Sequence, residues 1–161
     1  MNIISNIMAN RRAARAKAEA EAIAKAEEMA RAKAKAEAEA SAKAEIEIAK
    51  KTAVQKAVKP LHPLAAALGF SFPSPVSQKV YAVASDAITI AQKAASDCYD
   101  KSLAEGKNTD EAEAEVAKSA VQAFICAIDE LAAKYLDAPI ADKLKMAFSS
   151  IANVVGQEPK H

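Results

Sequence analysis

Alanine alternates with lysine, arginine or glutamate between Arg12 and Lys50, in the stretch RAARAKAEAEAIAKAEEMARAKAKAEAEASAKAEIEIAK. A period of two is the usual pattern of a half-buried strand. The composition indicates a helix instead, because Ala, Lys, Glu and Arg are strong helix formers and Ala, Lys and Glu are depleted from strands. This alanine–charge segment therefore predicts a long helix. Because it lacks an apolar stripe, we expect most of its surface to be solvated.

Charged side chains of the segment recur four residues apart with opposite signs. Such neighbours share a helix face, and each pair contributes about 0.2–0.5 kcal/mol, which salt weakens. The predicted pairs are Arg15–Glu19, Lys17–Glu21, Glu21–Lys25, Glu27–Arg31, Lys33–Glu37, Lys35–Glu39 and Glu39–Lys43. We interpret the residues of these pairs as an association surface for other copies of the chain.

Proline and glycine divide the rest of the chain. Pro60, Pro63, Pro73 and Pro75 predict a linker in extended or turn geometry, with space for one or two helical turns at residues 64–68. Three amphipathic helices then follow 3.6-residue periodicity and are joined by short loops, which predicts a small antiparallel bundle. The predicted division is a long helix in 1–58, a proline-containing linker in 59–75, the bundle in 76–156 and a tail in 157–161.

The apolar face of each bundle helix can be read from the spacing. The first helix, residues 74–105, is expected to bury Val76, Val80, Val83, Ala87, Ile90, Ala91 and Ala94. The second, from Asn108 or Thr109 to 136, is expected to bury Val116, Ala120, Phe124, Ala127, Ile128, Leu131 and Tyr135, and Asn108 with Glu111 has the spacing of a capping box. The third, 139–155, is expected to bury Ile140, Leu144, Phe148, Ile151 and Val155 and to end at Gly156. The fold class is therefore all-α.

Charge and hydropathy argue against several classes of partner. The net charge is +1 and no basic face is interleaved with aromatic residues, so we expect no nucleic-acid partner. We also expect no membrane partner, because no window approaches the roughly 18 apolar residues of a membrane span and the charges surround the predicted helix. The start, MNIISNIMANRR, does not have the pattern of a secretory signal.

Reactive side chains are scarce. No glycine-rich phosphate loop or metal-ligand spacing is present, and the two histidines, His62 and His161, lie in the linker and at the end of the sequence. We expect no catalytic residue, cofactor, metal or small-molecule substrate. His62 is interpreted as a solvated linker residue, with a pH-sensitive hinge as the alternative.

The two cysteines have different predicted environments. In a simple helical hairpin Cys98 lies opposite about residue 117, so Cys126 is too distant along the axis for an intrachain disulfide. Cys126, within AFICAI, is interpreted as a small core side chain. Cys98 is the candidate for an exposed thiol and an interchain crosslink, and an inert thiol is the equal alternative.

The residues RAARAKAEAEAIAKAE, Arg12 to Glu27, resemble the alanine-rich motif of pyriform spidroins, the spider proteins of attachment discs. That motif alternates Ala with Arg, Gln, Lys and Glu, and RAKAKAEAEASAKAE, Arg31 to Glu45, repeats the theme. Ile23 and Lys17 stand where the motif has Arg and Gln, and the resemblance covers residues 12–47. It implies a secreted, extracellular repeat unit of a silk or glue protein whose partners are itself and other silk proteins.

A second interpretation stays open. Periplasmic energy-transducing proteins of the Tol type carry similar Ala/Lys/Glu helices, so the chain is alternatively a helical spacer with a terminal protein-binding module. Self-association under changes of salt, shear or hydration is expected of the silk unit, whereas a tight partner is expected of the spacer.

Overall fold

A computed structural model describes the backbone of residues 3–155 and the side chains of residues 3–148. It contains five helices: α1 (Ile3–Val58), α2 (Leu61–Phe70), α3 (Val76–Ala104), α4 (Thr109–Tyr135) and α5 (Ala138–Val155). No strand occurs in the part of the chain that is described, and the predicted all-α class is confirmed. The chain divides into two compact units, residues 1–47 and 48–161, so the division falls inside α1 and precedes the boundary predicted at residue 58.

The first unit is helical from Ile3 to its end, and every described side chain in it is exposed. The prediction of a solvated alanine–charge helix is confirmed over these residues. Four large apolar side chains near the start of α1 are also exposed: Ile3, Ile4, Ile7 and Met8.

The second unit has its core between α3 and α4, which form the predicted antiparallel hairpin. The hydroxyl of Ser119 on α4 donates to the carbonyl of Ala94 on α3 at 3.5 Å, which places these residues side by side. Many of the buried positions on these two helices are alanines, whose small side chains allow helices to approach closely. The largest fully buried side chains are Tyr99, Phe124, Leu61, Ile128 and Leu144. Phe124 also meets Phe148 of α5 edge to face, with ring centroids 5.5 Å apart.

The proline-containing region is more helical than predicted. Residues 61–70 form α2, which includes the turns expected at residues 64–68 and extends beyond them. Pro60 lies immediately before the first helical residue and Pro63 lies in the first turn. Proline is tolerated there since the first backbone N–H groups of a helix have no intrahelical acceptor. Leu61, Ala65 and Leu68 are buried, so this region contributes to the core.

The end of α1, from Ile48 to Val58, packs in the second unit. Ala53, Ala57 and Val58 are buried, and Val54 is partly buried against the core. Two ion pairs fix its register: Lys50 contacts Asp100 of α3 at 2.6 Å, and Lys56 contacts Glu113 of α4 at 3.1 Å. The apolar residues Ile46, Ile48, Val54 and Val58 predict that this end of α1 docks. Val54 and Val58 do pack in the core, whereas Ile46 and Ile48 are exposed. The burial follows Ala53 and Ala57, four residues apart, which share one face of the helix.

The turn between α3 and α4 has the predicted capping. Gly106 adopts a φ of 77°, which favours glycine, and its N–H donates to the carbonyl of Leu103 at 3.0 Å. The side chain of Asn108 accepts from the N–H of Glu111 at 2.9 Å, and the Glu111 carboxylate accepts from the N–H of Asn108 at 3.3 Å. The capping box is therefore confirmed.

The apolar faces agree with the spacing except at their edges. Ile90 and Tyr135 are exposed, and Val76, Ala94, Leu131 and Ile140 are only partly buried. Ile88 lies on the same face as Ala84 and Ala91 and is buried. Ile90 follows it by two residues, which places it about 200° further round the helix, away from that face. Ile151 and Val155, which are predicted to be buried, lie outside the described side chains. The predicted helix end at Gly156 and the tail lie outside the described residues.

Replacing Phe124 with alanine is expected to remove about 3–5 kcal/mol from the free energy of unfolding, because the ring fills the core and meets Phe148. Phe70→Ala is the matched control. Phe70 is 87% exposed, so its loss is expected to change that free energy by no more than about 0.5 kcal/mol. Urea unfolding followed by circular dichroism measures both, and equal losses would contradict the assigned core.

Candidate association surface

The predicted association residues lie on α1, all of them exposed. Residues four apart fall on the same inclined row of a helix surface. One row carries Arg15, Glu19, Glu27, Arg31, Lys35, Glu39 and Lys43, and the other carries Lys17, Glu21, Lys25, Lys33 and Glu37. The rows are offset by two residues, about 200°, so they lie on nearly opposite sides of the helix with rows of alanine between them.

The rows wind around the helix axis. Four residues turn the chain by about 400°, so each row moves round the cylinder by about 40° for every four residues. No side of the helix therefore keeps one chemical character along its length, and both charge signs appear on every side. Between Arg11 and Glu47 the sequence has nine cations and eight carboxylates, so the surface is close to neutral overall.

Most of these charges do not meet in the predicted pairs. Lys33 Nζ and Glu37 Oε1 are 3.9 Å apart, and this is the one i,i+4 pair of the surface within 4 Å among the described side chains. Both side chains are more than two-thirds exposed. Such a pair contributes little to stability. The remaining charged groups thus extend into solvent, where groups of another molecule can reach them.

The two cysteines are placed opposite to the sequence-based expectation. Cys126, interpreted as a core side chain, is exposed. It follows Phe124 by two residues, which puts it about 200° away from the buried face despite its apolar neighbours. Cys98 is half-buried against the core beside Ala95 and Tyr99. Both are free thiols, and no observation tests the crosslink predicted for Cys98.

A polar cluster closes the α3–α4 turn. The buried hydroxyl of Ser102 donates to Glu115 at 2.8 Å, and Lys107 Nζ lies 2.7 Å from Glu115 Oε1 and 2.8 Å from Glu105 Oε2. The hydrogen bond from Lys107 lowers the pKa of Glu105, and those from Lys107 and then Ser102 lower the pKa of Glu115. The carboxylates in turn raise the pKa of Lys107. These contacts link the end of α3 to the start of α4, so the cluster stabilises the turn between them.

A groove runs between the end of α1 and the start of α4. Its volume is about 390 Å³, and its lining is Ala53, Lys56, Ala57, Asp110, Glu113, Ala114 and Ala117. The small alanine side chains leave the space open, and Asp110 and Glu113 place carboxylates at one end of it. Sequence reasoning missed this groove, because only the contact of α1 with α4 creates it.

An aromatic patch lies where α2 meets α3. A cavity of about 460 Å³ is lined by Ala66, Gly69, Phe70, Ser77, Gln78 and Tyr81. Phe70 and Tyr81 are both exposed there. His62 lies in the first turn of α2 and is also exposed, as the linker interpretation expected, although it belongs to a helix.

The described part of the chain has neither a cluster of metal ligands nor a membrane-spanning helix. Within the described residues, no three His, Cys, Asp or Glu side chains converge as a metal site would require. None of the helices in that part of the chain is long and apolar enough to cross a bilayer. The chain matches no known protein family, and neither a curated protein nor a solved structure is significantly similar to it.

We expect Cys126 to react with a thiol reagent faster than Cys98 in the folded protein. The variant Cys98→Ser retains the exposed thiol and Cys126→Ser retains the half-buried one, so each is the control for the other. The reaction rate with Ellman's reagent distinguishes them, and full denaturation should make the rates equal. A faster reaction at Cys98 would contradict the placement of both residues.

Glu115→Gln is expected to destabilise the fold mainly near neutral pH. The pKa of Glu115 is lowered in the folded state, so its contribution is present above the unfolded value and is lost as pH falls through the folded one. The difference in free energy of unfolding between wild type and variant should therefore shrink from pH 7 toward pH 3. Glu130→Gln, which removes an exposed carboxylate of α4 outside the polar cluster, is the control.

Proposed function

We propose that this chain is a non-enzymatic structural unit of a silk or glue-type protein, which self-associates through its alanine–charge segment into fibres or attachment cement. The observation that carries the proposal is the exposure of every side chain from Arg12 to Ile48, with charges of both signs, in a chain whose second unit has its own core. The resemblance of residues 12–47 to the pyriform spidroin motif supports it and adds extracellular location and silk partners to the proposal.

The charge pattern suits association of many copies better than one tight pairing. A helix that binds one partner along its length needs a continuous apolar seam, as the a and d positions of a coiled coil provide. The winding rows of the segment provide short contacts instead, in which alanine allows close approach and opposite charges lie on either side. Each contact is weak alone, but many such contacts together can hold the copies of a fibre or cement to one another.

The near-neutral charge of the segment also favours association of many copies. A segment with one sign of charge would repel its copies, whereas mixed signs allow attraction in several registers. Charge attraction between exposed groups is screened by salt, so assembly can be controlled by ionic strength. The second unit, with its alanine-rich core, gives each copy a folded body that remains soluble at low concentration.

The alternative is a helical spacer that carries a terminal protein-binding module, as in Tol-type envelope adaptors. The aromatic patch at Phe70 and Tyr81 is the observation that favours it, because exposed aromatic side chains beside a cavity suit a protein partner. That interpretation requires a tight partner and no concentration-dependent transition of the chain alone.

Neutralising the carboxylates of the segment is expected to abolish the self-association that uses the segment. The variant has Glu19, Glu21, Glu27, Glu37 and Glu39 changed to Gln, which leaves a cationic segment that repels its copies. The control changes five exposed acidic residues of the second unit to their amides, for the same net charge: Asp86, Asp97, Asp129, Glu130 and Asp142.

Light scattering of concentrated solutions, with and without shear, measures the threshold of assembly. Wild type and control should assemble, at thresholds that rise with salt, since the Debye length falls from about 30 Å to about 3 Å between 0.01 and 1 M. The segment variant should lose assembly through the segment, so its threshold should be well above those of wild type and control. A wild-type chain that remains monomeric under all these conditions would reject the proposal and favour the spacer.

A further inference from the structure

We propose that the groove between α1 and α4 is the docking site for residues 3–12 of a second copy of this chain. The inference rests on the proposed self-association and names one pair of surfaces that performs it. It starts from two features that are unexplained in a single molecule: the exposed apolar side chains at the start of α1, and the open groove in the second unit.

The start of α1 carries two neighbouring rows of the same composition. Ile3, Ile7 and Arg11 follow one row at four-residue spacing. Ile4, Met8 and Arg12 follow the next, about 100° round the helix. One face of this short stretch is therefore apolar at its beginning and doubly cationic at its end, and the first carboxylate of the sequence comes only at Glu19.

The groove has the matching order of charge and apolar surface. Asp110 and Ala114 follow one row of α4, and Glu113 and Ala117 follow another. Each row begins with a carboxylate and continues with alanine. The single cation of the lining, Lys56, is bound by Glu113 at 3.1 Å, and Asp110 has no partner among the described side chains. The lining therefore has an excess negative charge at the end where α4 begins.

These orders match when the docked helix runs antiparallel to α4. Arg11 and Arg12 then lie at Asp110 and Glu113, and the isoleucines and Met8 lie over Ala114 and Ala117. The lengths agree as well, since residues 3–12 extend about 14 Å and residues 110–117 about 11 Å along their axes. Arginine suits this contact because its guanidinium forms two parallel bonds with a carboxylate.

The contact joins different surfaces of two copies, so a pair of copies keeps one free start of α1 and one free groove. An interface of this kind continues into an open chain unless its rotation closes a ring. Lateral contacts of the alanine–charge segments can then bind such chains to one another. The two interactions use different residues, because Arg11 and Arg12 are outside the charged pairs of the association surface.

A charge exchange tests the contact. One variant carries Arg11→Glu and Arg12→Glu, and the other carries Asp110→Lys and Glu113→Lys. Each alone should self-associate about tenfold more weakly than wild type, because like charges face each other across the contact. An equimolar mixture should recover hetero-association, because the exchanged segment of one variant fits the exchanged groove of the other. Sedimentation velocity measures the masses, and circular dichroism checks that both variants stay helical.

A change of shape tests the same groove without a change of charge. Ala117→Leu fills the groove and should weaken association about tenfold, whereas Ala133→Leu, at an exposed alanine elsewhere on α4, should not. If the groove variants assemble as wild type does, or the mixed charge variants stay apart, the docking contact is rejected while self-association through the segment stands. If wild type itself never assembles, both proposals fail.

Discussion

A side chain on a helix can be buried only where neighbouring residues present a continuous face to a partner, and the alternation of alanine with charge denies such a face to residues 12–48. A repeat of two residues does not divide evenly into 3.6 residues per turn, so alanine and charge wind together around the cylinder. The exposure of every side chain in that range follows from this geometry. Strong helix propensity keeps the backbone helical where packing does not.

The helices of the second unit, in contrast, do present continuous faces that can be buried. On α3 and α4 alanines recur at three- and four-residue spacing, together with a few large side chains such as Tyr99 and Phe124, and this spacing produces a face that can be buried. Alanine thus has two roles in one chain. In the core its small size lets helices approach closely, and in the segment it separates charges without adding an apolar seam.

Periodicity was sufficient to predict the helical class, the hairpin and the capping box at Asn108 and Glu111, because each depends on residues close in sequence. It was insufficient where a third element decides burial. Leu61 and Leu68 become core residues only because α2 packs on α3, and Cys126 is exposed because Phe124 already defines the face of α4 that points inward. The exposure of the association surface could be predicted from the sequence. The groove between α1 and α4 could not, since Asp110 and Ala53 are far apart in sequence.

The two proposed contacts, one weak and one specific, would have different consequences for a material built from such a chain. The winding charge rows offer many registers of similar energy, so copies that meet through them can slide and pair again under load. A contact between residues 3–12 and the groove has one register, because its apolar and charged ends must both match. A structure that combined the two would keep defined connections along a fibre while its lateral contacts dissipate strain. Salt would affect both proposed contacts, but the lateral ones more, because the end contact would also bury isoleucine and methionine against alanine.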